Sequence, residues 1–250
     1  MSDHGTITLV PSVHFSPTHR RRVRETIREA EPDLVAVELD ESRFDRLEGN
    51  DSGNLDELTR ELPPPMAAAY SILQTLQRTV VRLYGLDPEQ TDMEAAIETA
   101  AERNTDIALI DEPIDEIMAA LSRRLGPLTI PKTMLRMQSM GPEEYADQIE
   151  MLSLPFDEIT SGDDVQPAID HLRRLFPEVA AVMIDRRDRA MAARLHALRS
   201  EGHDVVAVIG AGHHNGVQRR LDELEARNGE EQPSVPIRST DRTVTRIPIE

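Results

Sequence analysis

Four residues with acid–base or metal-binding side chains follow the apolar segments of this chain. Two of these segments, ITLVPSVH and VVAVIGAGH, run into a histidine, and two others, LVAVE and IALID, run into an acidic residue. In an open parallel sheet, ligands bind outside the carboxyl ends of the strands. If the segments are neighbouring strands, their last residues meet at one rim, which the sequence predicts as the functional site. These residues are His14, Glu38, Asp111 and His213.

The side chains at this rim suit a divalent metal ion. Imidazole nitrogen and carboxylate oxygen are the ligands of a catalytic zinc or similar ion, with one position left for water. We therefore predict that His14, His213 and Glu38 hold such an ion, with zinc, manganese and cobalt all open. The structural alternatives are that Glu38 pairs with an arginine or caps neighbouring backbone, and that each histidine makes hydrogen bonds within a loop.

Two adjacent charged residues interrupt the apolar stripe of a long helix predicted over Pro177–Ser200. Arg187 and Asp188 both fall on the core-facing side of that helix, where charged residues are tolerated only when paired. We expect Arg187 to pair with Glu38 or Asp111, to hold a substrate carboxylate, or to stabilise a developing oxyanion. A purely structural ion pair is the alternative. Glu38 is also a candidate general base, with Asp111 or Asp188 as a supporting acid.

A glycine-rich segment, Gly210-Ala-Gly212, lies between the last apolar strand and a helix predicted to begin at Gly216. Such a turn can bind a phosphate at the start of the helix, so Gly210 and Gly212 are candidate cofactor-binding residues. The spacing G-x-G-x-x-x-G differs from the dinucleotide fingerprint, and no acid ends a strand about twenty residues later. The alternative is that the glycines let the backbone turn tightly and leave room beside His213.

The elements that position these residues belong to an α/β fold. Continuous apolar character predicts strands covered on both faces, which indicates a mostly parallel central sheet flanked by helices. Ser16-Pro17 begins a helix that ends before Glu31-Pro32, and this helix joins the first two strands. The two strand–histidine–helix units also suggest an internal duplication. The strands are predicted at Thr6–Val10, Leu34–Leu39, Ile107–Ile110 and Val205–Ile209.

The chain of 250 residues is predicted to form a single domain with an elaborated cap. Helical or cap insertions are expected at about 55–105 and about 127–175, the second being irregular as far as Gly162. A polar linker is expected at about 229–236, followed by an edge strand over Arg242–Ile249. Met66–Tyr84 is predicted to be an amphipathic helix, and it is the candidate surface for a homodimer.

The composition excludes several classes of protein. The formal net charge is −18 and Lys132 is the only lysine, which indicates adaptation to a saline cytoplasm, because a Debye length of ~3 Å at molar salt screens self-repulsion. The acidity argues against nucleic-acid binding, and the basic segment Arg20–Glu25 is predicted to be an exposed helix face. With no cysteine there is no disulfide or thiolate chemistry. The lack of a signal peptide and of an apolar run of about 18 residues predicts a cytoplasmic protein without a membrane span.

Together the motifs resemble those of the TraB/PrgY family, which is related to the animal Tiki proteins. The matching segments are VPSVHFS, PDLVAVELDESRF, DMEAAIETAAERNTDIALIDEPI, FPEVAAVMIDRRDRAMAARL and VVAVIGAGHHNGV, in the family's order. The acidity is typical of a haloarchaeal member. The resemblance implies an α/β fold in which two G-x-x-H motifs and a glutamate form one site. The corresponding residues here are His14, His213 and Glu38, with Arg187 and Asp188 from the family's E-R-D-x-x-M-A helix.

The resemblance further implies either a metal-dependent protease, as the Tiki relatives are described, or the shutdown of a peptide pheromone. Pro11 stands where the first G-x-x-H motif has glycine, and Arg186 stands where E-R-D has glutamate. The leading hypothesis is a metal-dependent hydrolase, more narrowly a peptidase, that acts on a peptide or small-molecule substrate through an activated water. The chain contains no G-x-S-x-G or H-E-x-x-H motif. The alternatives are a non-catalytic module that binds a peptide or small anion, and a dimeric scaffold.

Overall fold

A five-stranded sheet forms the centre of the computed structural model, which describes residues 4–13, 16–47, 91–126, 128–138, 141, 159–226 and 233–240. The strand order is β1-β4-β2-β3-β5; the first four strands are parallel, and β5 pairs antiparallel with β3. The predicted α/β fold with a mostly parallel sheet is confirmed, and the bounds of the four predicted strands differ by at most two residues. The strands are β1 Ile7–Ser12, β2 Leu34–Val37, β3 Asp106–Leu109, β4 Val205–Gly210 and β5 Ile237–Arg238.

Nine helices lie within the described residues. They are α1 Pro17–Ala30, α2 Glu41–Leu47, α3 Asp92–Arg103, α4 Ile114–Arg124, α5 Thr129–Gln138, α6 Gln166–Leu175, α7 Pro177–Met183, α8 Asp185–Ser200 and α9 Ala211–Glu225. None of the helices in the described part of the chain is long and apolar enough to cross a membrane.

The sheet is covered on both faces, as its apolar strands require. Alternate residues of β2 point to opposite sides: Val35 and Val37 join the core cluster that includes α1 and α3, and Leu34 and Ala36 join the cluster that includes α8 and α9. All four β2 residues are buried, with at most 4% of the surface of each exposed. The two clusters fix the register of the strands and thereby align their carboxyl ends.

Local signals set the start of the helices that flank the first face. The Ser16 hydroxyl accepts a hydrogen bond from the His19 backbone N–H, and Pro17 occupies the first turn, so α1 begins where the sequence predicts. Thr91 and Glu94 form a reciprocal capping box at the start of α3. Since α3 packs into the main core, this part of the predicted 55–105 insertion belongs to the layers around the sheet.

Three predicted elements differ in the structure. The long helix over Pro177–Ser200 is interrupted at Ile184, whose φ of −115° and ψ of −71° separate α7 from α8. The final large helix begins at Ala211, directly after β4, rather than at Gly216. The segment predicted to be irregular from Pro127 contains the helix α5.

Part of the basic segment is also buried. Arg21 is exposed and Arg24 pairs with Glu98 of α3, but Arg20 is only 9% exposed, so the prediction of an exposed face is wrong at that residue. The predicted dimer surface over Met66–Tyr84 and the predicted edge strand over Arg242–Ile249 lie outside the described residues.

Candidate functional site

Five of the predicted site residues meet at the carboxyl rim of the sheet. Glu38 directly follows β2, Asp111 follows β3, and the first turn of α9 carries His213 just beyond β4. The adjacent pair Arg187-Asp188 lies in the first turn of α8 and reaches the same rim. Each of the five is at most 8% exposed. His14 lies outside the described residues, two positions after the end of β1, which pairs with β4.

Arg187 occupies the centre of this cluster. Its Nε donates to Asp111 Oδ1 and Oδ2 at 3.0 and 3.1 Å, and its Nη2 donates to Asp111 Oδ2 and to Glu38 Oε1. Burial alone would lower the pKa of Arg187, but attraction by Glu38 and hydrogen bonding with Asp111 outweigh it and raise that pKa above its ordinary value. The guanidinium is therefore a permanent positive charge shared by two buried carboxylates.

The partners of His213 assign its tautomer. Its Nε2 lies 3.1 Å from Arg187 Nη1, and because a guanidinium can only donate, Nε2 must present its lone pair there. Its Nδ1 lies 2.7 Å from Asp188 Oδ1, so Nδ1 carries the proton and donates it to the carboxylate. A carboxylate bonded to one ring nitrogen in this way orients histidines that bind metals through the other nitrogen.

Glu38 is bound from two sides. Its Oε2 accepts the Gly210 backbone N–H at 2.6 Å, and its Oε1 accepts from Arg187 and lies 3.4 Å from His213 Nε2. The N–H of Gly210 is thus engaged by a carboxylate of the chain. Gly212 lies inside α9, where an added Cβ would be 3.1 Å from Ile169 Cδ1. The alternative of a tight glycine turn beside His213 does not describe this segment, because Gly210 has a negative φ of −57° and leads straight into the helix.

Two residues that the sequence reasoning missed extend the cluster. Arg43 of α2 donates through Nη2 to Asp111 Oδ2 at 2.6 Å, and its Nε lies 3.3 Å from Asp40 Oδ2. Asp40 also accepts the backbone N–H groups of Arg43 and Ile114 at 2.7 and 2.6 Å. Burial raises the pKa of Asp40, but the Arg43 charge and these hydrogen bonds outweigh it and lower that pKa. An acidic residue just before a helix, as in LDESR, is the local signal that could have identified this cap.

The charges of these side chains do not balance. Four carboxylates and two guanidinium groups give a formal charge of −2 when His213 is neutral. Both guanidinium groups contact Asp111, whereas the carboxylate of Asp188 faces only the neutral imidazole of His213 and leaves its Oδ2 without a hydrogen-bond partner within the described residues. The group comprises Glu38, Asp40, Asp111, Asp188, Arg43 and Arg187.

The imidazole nitrogen and carboxylate oxygens at this rim are atoms of the kinds that bind a divalent cation. The 3.4 Å between His213 Nε2 and Glu38 Oε1 matches the separation of two ligands of one tetrahedral ion, which lie about 3.4 Å apart when each is about 2.1 Å from the metal. Both atoms are Lewis bases and both now face Arg187. Within the described residues, no group of three or more His, Asp and Glu side chains is arranged as a metal site. The third predicted ligand, His14, lies outside those residues.

A segment of the predicted cap lies beside His213. Asn215 of α9 donates through Nδ2 to Asp163 Oδ1 at 2.9 Å and to Gln166 Oε1 at 3.1 Å. A Cβ on Gly162 would lie 2.3 Å from Asn215 Oδ1, so the backbone at Gly162 contacts this side chain directly. The segment 159–165 is therefore attached to the same turn of α9 that carries the candidate histidine.

Comparison with known proteins identifies similar sequences. Residues 1–230 match the model of the TraB/PrgY/gumN family. An uncharacterized protein of Methanocaldococcus jannaschii is 31% identical over 227 residues, which cover 89% of this chain and 55% of that protein. The chain thus spans about half the length of this curated relative.

Proposed function

The chain belongs to the TraB/PrgY/gumN family, and from that premise we propose that it is a metal-dependent hydrolase. One observation carries the proposal: the Nε2 lone pair of His213 is held 3.4 Å from Glu38 Oε1 in a buried cluster. A divalent cation would offset negative charge among the described carboxylates of that cluster. His213 and Glu38 are the proposed ligands, and His14 is the proposed third.

Each further side chain has a role that follows from its contacts. A divalent cation held there would act as a Lewis acid toward a scissile carbonyl group. Asp188 orients the imidazole of His213 through Nδ1, and the Gly210 N–H orients Glu38 through Oε2. Arg187 holds Glu38 and Asp111 in place and remains charged throughout. Glu38 is the proposed general base if His14 and His213 alone hold the ion.

More narrowly, we propose that the substrate is a peptide, because the motifs of the chain resemble those of the Tiki proteins. The proposed location is a saline cytoplasm, supported by 46 acidic against 28 basic residues. Such a surface remains folded and dispersed where salt screens its repulsion.

A second candidate is a module that binds a peptide or small anion without turnover. The observation that favours it is the saturation of Arg187, whose Nε, Nη1 and Nη2 all contact residues of the cluster. With Arg187 already bridging Glu38 and Asp111, the rim would be a fixed ion-pair network beside a binding surface. In that case neither metal nor hydrolysis would depend on His213.

Turnover of a mixed peptide library in molar KCl separates the two candidates. The hydrolase predicts cleavage that a chelator abolishes and that zinc, manganese or cobalt restores, with loss of activity in His213→Ala and Glu38→Gln. His203→Ala is the matched control, because His203 is a partly exposed histidine at the opposite, amino end of β4. Peptide binding without cleavage in every metal would favour the binding module and refute the hydrolase.

A further inference from the structure

Gly216 of α9 lies against the carboxylate of Asp188. It is three residues after His213, so both residues are on the same face of the helix, toward α8. A Cβ on Gly216 would lie 1.8 Å from Asp188 Oδ2 and 2.5 Å from Asp188 Cγ. No side chain larger than hydrogen fits at this position while Asp188 keeps its observed orientation.

The two oxygens of Asp188 have different surroundings. Oδ1 is 2.7 Å from His213 Nδ1, whereas the buried Oδ2 has no hydrogen-bond partner within the described part of the chain. No hydrogen bond in that part of the chain therefore fixes Oδ2. Oδ2 instead lies against the bare backbone of Gly216, where an added Cβ would be 1.8 Å away.

We infer that Gly216 is a positioning residue, which orients the imidazole of His213 by admitting the carboxylate of Asp188. The hydrogen bond to Nδ1 fixes the ring, and the fixed ring holds Nε2 in the cluster, 3.1 Å from Arg187 Nη1 and 3.4 Å from Glu38 Oε1. A methyl group at Gly216 displaces Asp188 and releases the ring. The consequence for catalysis rests on the proposed function, whereas the consequence for the histidine does not.

A purely structural role for Gly216 is the competing explanation. Helices α8 and α9 are packed together, and a glycine can simply allow close approach of two helices. The two roles differ once Asp188 is shortened to alanine. Of the three Asp188 atoms that a methyl group on Gly216 would meet, only Cβ is then left, at 3.3 Å. A positioning residue should tolerate alanine in that background.

A double-mutant cycle tests the inference with Gly216→Ala, Asp188→Ala and the combined variant. We expect each single change to weaken zinc affinity and peptide turnover by about 10–100-fold, as loss of such orienting partners does. The combined variant should match Asp188→Ala within about threefold. If Gly216→Ala lowers zinc affinity and turnover as much in the Asp188→Ala background as in the wild type, the glycine serves helix packing and the inference is overturned.

Proton NMR of the histidine rings provides a measurement independent of activity. In the wild type, the Nδ1–H of His213 should give a downfield, slowly exchanging resonance, assigned by its absence in His213→Ala. Gly216→Ala and Asp188→Ala should both lose it. Gly126→Ala should retain it, because a methyl group at Gly126 meets no atom within 4 Å. Retention in Gly216→Ala would refute the inference.

The outcomes also distinguish this inference from the proposed function. A resonance lost in Gly216→Ala, in a protein that hydrolyses no peptide, would support the positioning role and count against the hydrolase. If Gly216→Ala fails to fold, the combined variant still decides. A combined variant that folds as Asp188→Ala does supports the inference, and a combined variant that fails to fold contradicts it.

Discussion

Replacing Arg187 with alanine should strongly destabilise the fold. The change removes four donated hydrogen bonds to Glu38 and Asp111 and the contact with His213. Glu38 keeps the Gly210 N–H, and Asp111 keeps the side chain of Arg43 and the Glu112 N–H. Both carboxylates therefore stay buried without the positive charge that Arg187 shared between them.

The expected loss is about 3–5 kcal/mol of unfolding free energy, the usual cost of breaking a buried ion pair by removing one partner. The neighbouring Arg186 is the matched control. It pairs with Glu112 and Glu116 but is 27% exposed, and Glu116 is 60% exposed. Because solvent and salt weaken exposed pairs, Arg186→Ala should cost about 1 kcal/mol or less.

Urea unfolding in molar KCl at pH 7, followed by far-UV circular dichroism, measures both variants. The m-value should stay constant, since the surface exposed on unfolding does not change. Adding Glu38→Gln to Arg187→Ala should recover part of the loss, because it removes the charge of one of the two carboxylates that Arg187 neutralised. Equal destabilisation by Arg187→Ala and Arg186→Ala would refute the view that Arg187 neutralises a buried cluster.

Three further predictions concern the helix-capping residue Asp40, the acidic surface and the segment 159–165. Asp40 has a lowered pKa, so its stabilisation is present above the ordinary value of 3.8 and is lost as pH falls through the folded value. The unfolding free energies of wild type and Asp40→Asn should therefore converge as the pH falls below 3.8. A difference between these free energies that stays constant with pH would contradict the prediction. Transfer from molar to millimolar KCl should reduce the far-UV helical signal, because repulsion among 46 acidic residues is no longer screened; an unchanged spectrum would exclude salt-dependent folding. Asn215→Ala should speed limited proteolysis within 159–165, whereas Gln218→Ala on the same helix should not, and equal rates would show that Asn215 does not hold the segment.

The sequence predicts most of the rim because burial leaves a clear pattern. Apolar runs identify the strands, and parallel strands align their carboxyl ends, so Glu38 and Asp111 could be located together with the turn that carries His213. Arg187 was recognisable because it interrupts an apolar stripe. These inferences require only periodicity and the cost of burying a charge.

The remaining features depend on contacts between distant segments. The interruption at Ile184 could not be predicted, because the apolar stripe continues through α7 and α8. One residue outside helical geometry does not change the spacing of the apolar residues. The start of α9 was misplaced because glycines favour turns in isolation, whereas here they precede a packed helix. Arg43 was missed because its partner Asp111 lies 68 residues away. The identity of Glu38 as a ligand or a base depends on His14, which lies outside the described residues.

Cobalt titration of the wild type and of His213→Ala in molar KCl tests the proposed metal site most directly. Cobalt bound by nitrogen and oxygen ligands in a tetrahedral site gives a visible absorption band. The wild type should saturate near one cobalt per chain, and zinc should abolish the band. His213→Ala should bind at least about tenfold more weakly, since it lacks a ligand. Equal cobalt binding by both proteins, or none by either, would contradict the metal-dependent hydrolase.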